Sequence, residues 1–162
     1  MIEIFKDKEL EIYFSNLPRV DVRYILPWTN EEEKKEIKHK PFICENEFKV
    51  LIKDVELNEE FLIEIPKNYA WDGASIPRVF WRLIGSNTDN SFLMPSCIHD
   101  VLCENHDLIN HDRNLSSRIF RSLLIASGVT KFKAQTMYLA VDNFQKFCGW
   151  YPKNKTCLTY TE

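Results

Sequence analysis

One short segment, PSCIHDVLCENHDLINHDR, holds three of the four histidines of this sequence together with four acidic residues. A helix through it would place His99, Cys103 and His106 on one face, because they are spaced by four and three residues. Asp100 follows His99 directly. A His–Asp pair of this kind binds a divalent metal ion, or supplies a base that a carboxylate orients. The spacing therefore predicts His99 and Asp100 either as catalytic residues or as metal ligands.

The same side chains also have structural interpretations. A cysteine on a helix is more often a small core residue than a ligand, and a histidine near a helix end is favoured there by the helix dipole. A structural zinc site would have to combine Cys97, His99, Cys103 and His106. Such sites usually have two ligand pairs separated by a longer spacing, which disfavours zinc here.

A second segment, AWDGASIPRVFW at 70–81, is rich in residues with special roles. Asp72 begins an Asp-Gly turn, and Ser75 can bond the backbone at the start of a helix that Pro77 opens. Arg78 would stand in the first turn of that helix, where a cation is disfavoured unless a carboxylate faces it. The segment is therefore either a difficult turn of the fold or one wall of a site.

The strands that must support these segments are predicted from the N-terminal half of the chain. Its runs of β-branched and aromatic residues, LEIYFSNL and VDVRYIL, end at prolines. EFKVLIKDVEL and EEFLIEIP indicate two strands paired across a turn near Asn58. The charged run EEEKKEIKHK, 31–40, is either a short exposed helix or a loop.

The helices are predicted from 3.6-residue periodicity in the C-terminal half of the chain. One helix runs from Pro77 to Gly85, and the next begins near Ser96 as its N-cap. Two more cover roughly 115–126 and 131–147. Their expected inner residues are Ile119, Leu123 and Ala126 in the first, and Ala134, Met137, Tyr138, Val141 and Phe144 in the second.

These elements predict an α+β fold in which N-terminal antiparallel strands pack against a C-terminal bundle of about three to four helices. The length of 162 residues suits a single domain with a real core. We divide it into a strand-rich region spanning 1–66, the motif turn and helix at 70–85, a helical region spanning 96–148 and a tail at 149–162.

Composition excludes several classes of protein. The net charge of −3 disfavours nucleic acid as a partner, because such binding depends on broad phosphate neutralisation. No run approaches the roughly 20 apolar residues that span a bilayer, and the start MIEIFKDKELEIYF lacks the apolar core of a secretion signal. Five cysteines, an odd number without a C-x-x-C pair, indicate a reduced setting. We therefore expect a cytoplasmic protein.

Taken in order, WDGASIPRVFW, IHDVL, RNLSSRIF, SGVTKFKAQTMYLAV and FCGW resemble the domain-of-unknown-function family 1353, which is common in bacteriophages and prophages. The resemblance covers about residues 60–150. It implies one polar centre, formed by Asp72, Ser75, Pro77, Arg78, His99 and Asp100. The His-Asp helix is also similar to that of phospholipase A2 enzymes, in which the histidine activates water and the adjacent aspartate holds calcium.

Two positions depart from the family pattern. Cys103 stands where the family has tyrosine, and Ser117 where it has aspartate. If the family's tyrosine and aspartate orient the histidine or complete the ligands of a metal ion, this chain lacks both of these residues. His106 or Asp107, one turn further along, would then have to compensate, and Cys103, His106 and Ser117 are all counted in the predicted centre.

Two hypotheses on function follow. The first is a phage- or prophage-type hydrolase-like protein, with His99 as the base, Asp100 holding a divalent metal or orienting the histidine, and Arg78 binding an anionic group. The alternative is a catalytically inactive protein of phage origin that binds a host or defence protein, or takes part in virion or tail assembly. The retained residues favour the first, and the departures at Cys103 and Ser117 favour the second. The oligomeric state is left open.

Overall fold

The computed structural model describes residues 1–73 and 90–150. In these ranges strands precede most of the helices, and the α+β class is confirmed. The strands are β1 (Ile2–Lys6), β2 (Leu10–Phe14), β3 (Val20–Val22), β4 (Phe42–Cys44), β5 (Phe48–Asp54), β6 (Glu59–Ile65) and β7 (Ala70–Trp71). The α-helices are α1 (Glu31–His39), α2 (Leu93–Glu104), α3 (Arg113–Ala126) and α4 (Lys131–Cys148).

The larger sheet is antiparallel, with four strands in the order β1-β2-β5-β6. The predicted pairing of β5 with β6 is confirmed, and Asn58 in their connection has a φ of 52°, which asparagine tolerates better than most residues. Alternate side chains point to one face, as the period of two requires. That buried face consists of Leu10, Ile12, Phe14, Phe48, Val50, Ile52, Phe61, Ile63 and Ile65.

The smaller sheet has three strands in the order β3-β4-β7. The strand predicted from VDVRYIL is shorter than expected and ends at Val22, which pairs with Phe42. The Arg23 N–H still donates to the Pro41 carbonyl oxygen (2.6 Å), but Pro41 has no N–H to return a bond. The ladder therefore stops, and residues 24–28 leave the sheet.

The charged run 31–40 forms a helix, α1, whose ends have the expected signals. The Asn30 side chain accepts a hydrogen bond from the Glu33 N–H (2.8 Å), which caps the first turn. Acidic residues occupy this turn and Lys38 the last, in the arrangement that the helix dipole favours. No residue of α1 is buried, so this helix is an addition to the surface.

Helix α2 begins at Leu93, so the prediction that Ser96 is its N-cap is wrong. A short 3-10 turn, Asn90–Phe92, leads directly into it. Ser96 lies in the first turn, where its hydroxyl donates to the Leu93 carbonyl oxygen (2.8 Å). Every residue from Pro95 to Cys103 is buried. A helix that is buried all round must be covered by other elements on every side.

Helices α3 and α4 agree closely with their predicted ranges and form a second, smaller core between them. Phe120 and Leu124 of α3 pack there against Ala134, Met137 and Val141 of α4. Ala126 and Phe144 were expected on the inner faces but are exposed. In their place, Ile125 and Val129 pack against this core, and Gln145 points inward.

Candidate functional site: a buried histidine–aspartate centre

His99 lies in the middle of α2 and has no solvent-exposed surface. Its ring packs against Phe120 of α3, with ring centroids 4.9 Å apart and planes tilted by 39°. This burial lowers the pKa of His99 from 6.5 to about 3, because an imidazolium ion would lose its hydration there. The imidazole is therefore neutral at physiological pH.

Cys103 lies one helical turn beyond His99, as the spacing predicted. Its Sγ is 3.8 Å from both Nδ1 and Nε2 of the imidazole. The Gln145 Nε2 of α4 donates to the same sulfur (3.3 Å). Sequence reasoning missed Gln145, although its spacing of four residues from Val141 places it on the inner face of α4. The thiol thus lies between His99 of its own helix and Gln145 of α4.

Asp100 connects the two segments that the sequence singled out. Its Oδ2 accepts a hydrogen bond from the Gly73 N–H (3.0 Å), and both groups are buried. Gly73 has a φ of 69°, in the left-handed region where a side chain is disfavoured. The left-handed conformation of Gly73, which follows the half-buried Asp72, therefore points its N–H at the Asp100 carboxylate.

The same stretch of chain bonds to α2 at two further positions. The Trp71 Nε1–H donates to Ser96 Oγ (3.0 Å), and the Tyr69 hydroxyl donates to Glu104 Oε2 (3.0 Å). Residues 96, 100 and 104 are spaced by four and form one stripe of α2. Alternate residues 69, 71 and 73 are thus attached to this stripe, which we call the strand-facing stripe.

His99 and Asp100 project about 100° apart around α2, because they are consecutive in a helix. Asp100 belongs to the strand-facing stripe, whereas His99 and Cys103 face Phe120 and Gln145. The sequence alone suggested one centre. The contacts that the structure describes for His99 and Asp100 lie on two neighbouring faces of one buried helix.

His106 is not on α2, so the prediction of one helical face holds for His99 and Cys103 but is wrong for His106. The helix ends at Asn105, whose φ of −133° and ψ of 71° are not helical, and the Asn105 side-chain amide donates to the Val101 carbonyl oxygen (2.9 Å). His106 lies in the following 3-10 segment, where burial lowers its pKa. Its ring stacks on Trp150, with centroids 3.5 Å apart and planes 9° from parallel.

Two further residues of the predicted sites, Ser117 and Cys97, are buried. Ser117 is buried in α3, and its hydroxyl donates to the Arg113 carbonyl oxygen of its own helix (3.4 Å). Cys97 was a candidate ligand in the zinc hypothesis. Its Sγ lies 3.4 Å from the Sγ of Cys44, and burial raises the pKa of the Cys97 thiol. Ser75 and Arg78, with the helix predicted from 77 to 85, lie outside the described residues.

A divalent ion needs several ligands converging on one point. Among residues 1–73 and 90–150, no three histidine, cysteine or acidic side chains are grouped so that they could hold a metal ion. His99 and Asp100 face different neighbours. The described residues therefore do not form a metal centre by themselves.

Comparisons with known proteins match the chain to uncharacterized relatives. Two are proteins of Sinorhizobium fredii (strain NBRC 101917 / NGR234). Uncharacterized protein y4jT is 36% identical over 97 residues, which cover 55% of this chain and 28% of that protein. Uncharacterized protein y4iH is 30% identical over 86 residues, 53% of this chain and 35% of that protein. The chain thus spans about a third of the length of these relatives.

No solved structure matches the chain. Within the described ranges, no helix combines the length and the apolar composition that crossing a bilayer requires. The family model described as "Protein of unknown function (DUF1353)" matches residues 49–141, more than half of the sequence. This match includes His99, Asp100, Cys103 and the Asp-Gly turn, and the chain belongs to the DUF1353 family.

Proposed function

We propose that this protein is a binding protein without catalytic activity, in which the His99–Asp100 centre is structural. Complete burial is the observation that carries the proposal: His99 exposes 0% of its surface and Asp100 exposes 2%. A general base must reach a substrate or a water molecule, and it works best with a pKa near the working pH. The pKa of about 3 at His99 makes it a poor base at neutral pH.

A structural role accounts for the contacts of both residues. Asp100 and the strand-facing stripe hold the end of β7 and the Asp-Gly turn, while His99 packs α2 against α3. Buried hydrogen-bonded groups of this kind fix one arrangement of the elements around them. The family resemblance suggests that the partner is another protein, of host or phage origin. We propose that the two proteins bind in the bacterial cytoplasm.

Replacing Asp100 with alanine is expected to lower the free energy of unfolding by about 1–3 kcal/mol, because the buried Gly73 N–H loses its acceptor. The measurement is urea denaturation followed by circular dichroism. Asp107→Ala, an exposed acidic residue, is the matched control and is expected to change stability by less than about 0.5 kcal/mol.

The catalytic hypothesis is tested on the same protein. Ester, phosphodiester and amide substrates are offered to the wild-type chain and to His99→Ala. We expect no turnover from either. Turnover by the wild-type chain that a folded His99→Ala variant has lost would overturn the proposal.

A second candidate, a thiol hydrolase, is favoured by one observation. Cys103 lies between a neutral imidazole and an amide donor, and a base beside a thiol is the usual arrangement for a nucleophilic cysteine. In addition, Gln145 Oε1 is buried without a hydrogen-bond partner among the described residues, which is uncommon. A substrate donor would satisfy it.

Alkylation separates the two candidates. With a structural centre, we expect iodoacetamide to modify the exposed Cys148 in the folded protein and to leave Cys103 unmodified, because a buried thiol reacts slowly. The sites are identified by peptide mass spectrometry. Modification of Cys103 as fast as that of Cys148 at neutral pH would favour the thiol hydrolase.

A further inference from the structure

Five consecutive apolar residues are exposed between β3 and α1: Tyr24, Ile25, Leu26, Pro27 and Trp28, here called the aromatic loop. Trp28 exposes 80% of its surface and Tyr24 exposes 69%. Single exposed apolar residues are common, but a consecutive run is expected to have a function or to promote aggregation. The loop is thus a candidate contact surface.

The aromatic loop is held in one conformation by hydrogen bonds at both ends. The Arg23 guanidinium donates to Glu36 Oε1 (3.1 Å) and to the Lys40 carbonyl oxygen (3.4 Å). Thr29 and Leu26 exchange two bonds, from the Thr29 N–H to the Leu26 carbonyl (3.0 Å) and from the Leu26 N–H to Thr29 Oγ1 (2.9 Å). Preorganisation of this kind lowers the entropic cost of binding.

The loop carries negative charge on one side. Glu31, Glu32 and Glu33 follow it directly as the first turn of α1, and all three are exposed. Glu31 is paired with Lys34 (2.7 Å), so the negative charge beside the loop comes from Glu32 and Glu33. A partner surface that fits the loop should therefore combine exposed apolar side chains with basic ones.

The outer face of α4 has this chemistry. Phe132, Leu139 and Phe147 are exposed by 82%, 49% and 79%. They lie within a sector of about 80° around the helix, separated along its axis by about 10 and 12 Å. Between them are the smaller side chains of Thr136, Ala140 and Asn143. We call this surface the basic helix face.

Its charge is positive because of the lysines around it. Lys131, Lys133 and Lys146 are all exposed on α4. The acidic residue of the helix, Asp142, bonds instead to Arg113 of α3 and is largely neutralised by it. The aromatic loop and the basic helix face therefore carry opposite charges.

We propose that the aromatic loop of one copy docks on the basic helix face of a second copy. This inference rests on the proposed binding role and names a partner for it. Because the two surfaces are different, the contact is head-to-tail and each added copy leaves one surface of each kind open. One loop on one helix face makes a small interface, so we expect weak association that depends on concentration.

The test uses sedimentation velocity on the full chain over a wide range of concentrations. We expect the sedimentation coefficient of the wild-type chain to rise with concentration and to rise less in high salt, which screens the opposite charges. Trp28→Ser and Phe147→Ser should each remove this rise. Leu57→Ser, an apolar residue exposed by 58% in the β5–β6 connection, is the matched control and should keep it.

Mixing the two variants is the decisive measurement. The Trp28→Ser variant keeps an intact helix face and the Phe147→Ser variant an intact loop, so an equal mixture should form a complex that stops at two chains. Circular dichroism and urea denaturation establish that both variants fold as the wild-type chain does. A wild-type chain that stays monomeric, association that survives either substitution, or a mixture that forms no complex would overturn the inference.

These outcomes are independent of the test of the proposed function. A monomeric chain overturns the docking of a second copy, even if the loop proves to bind a different protein. Turnover that depends on His99 overturns the structural role of the centre, whatever the oligomeric state.

Discussion

Arg118→Met is expected to lower the free energy of unfolding by about 3–5 kcal/mol, measured by urea denaturation. Arg118 Nη2 bonds to Asp54 Oδ2 (2.8 Å), and the side chains expose 15% and 0% of their surface. Asp54 ends β5 and Arg118 lies in α3, so the pair attaches the larger sheet to the helix that covers His99. In the variant, the buried Asp54 carboxylate still accepts a hydrogen bond from the Leu57 N–H, but the positive charge of Arg118 that balanced it is lost.

An exposed ion pair provides the control for this prediction. Lys49 and Glu64 lie 2.6 Å apart with side chains exposed by 53% and 66%, and Lys49→Met is expected to cost less than about 1 kcal/mol. The double variant Arg118→Met/Asp54→Leu should recover much of the loss, because it removes the unpaired charge as well. A loss from Arg118→Met no larger than that from Lys49→Met would contradict the prediction.

The second large effect is on the pH dependence of stability. The unfolded chain protonates His99 near pH 6.5, whereas the folded chain does so only near pH 3. Between these values the unfolded state holds more protons, so the free energy of unfolding falls as the pH falls, by up to about 1.4 kcal/mol per pH unit. Near pH 3 the accumulated loss approaches about 5 kcal/mol. Above pH 6.5 this contribution is constant.

The slope is isolated by a substitution that does not titrate. His99→Gln should flatten the profile of unfolding free energy between pH 6 and pH 4 relative to the wild-type chain. Its overall stability differs for packing reasons, so the slope is the measured quantity. His39→Gln, an exposed histidine at the end of α1, should leave the slope unchanged. Parallel profiles for His99→Gln and the wild-type chain would show that His99 is not buried as a neutral group.

Local patterns predicted much of the fold. The period-two runs located β2, β5 and β6, and the 3.6-residue periodicity located α3 and α4 to within two residues at each end. These elements were predictable because their buried faces repeat regularly along the chain. The predictions failed where a tertiary contact replaced a local one. Ser96, expected to cap a helix, instead accepts the indole N–H of Trp71 from inside that helix.

Side-chain roles were less predictable than elements. The sequence correctly placed Cys103 beside His99, because four residues make one helical turn. It placed His106 on the same helix, but α2 ends at Asn105, whose backbone dihedral angles are not helical. It also missed Gln145, although the spacing from Val141 places this residue on the inner face of α4; the reason why a polar side chain occupies that face, its bond to Cys103 of α2, is visible only in the folded chain.

The sequence by itself determined the α+β order of elements, the family motifs and the neighbouring positions of His99, Asp100 and Cys103. Only the tertiary structure decided that these residues are buried and that His99 and Asp100 face different neighbours. Local spacing sets the direction in which a side chain leaves its helix, but its exposure depends on which elements pack around that helix. For α2 these elements cover every side from Pro95 to Cys103, so the residues whose spacing suggested chemistry are buried.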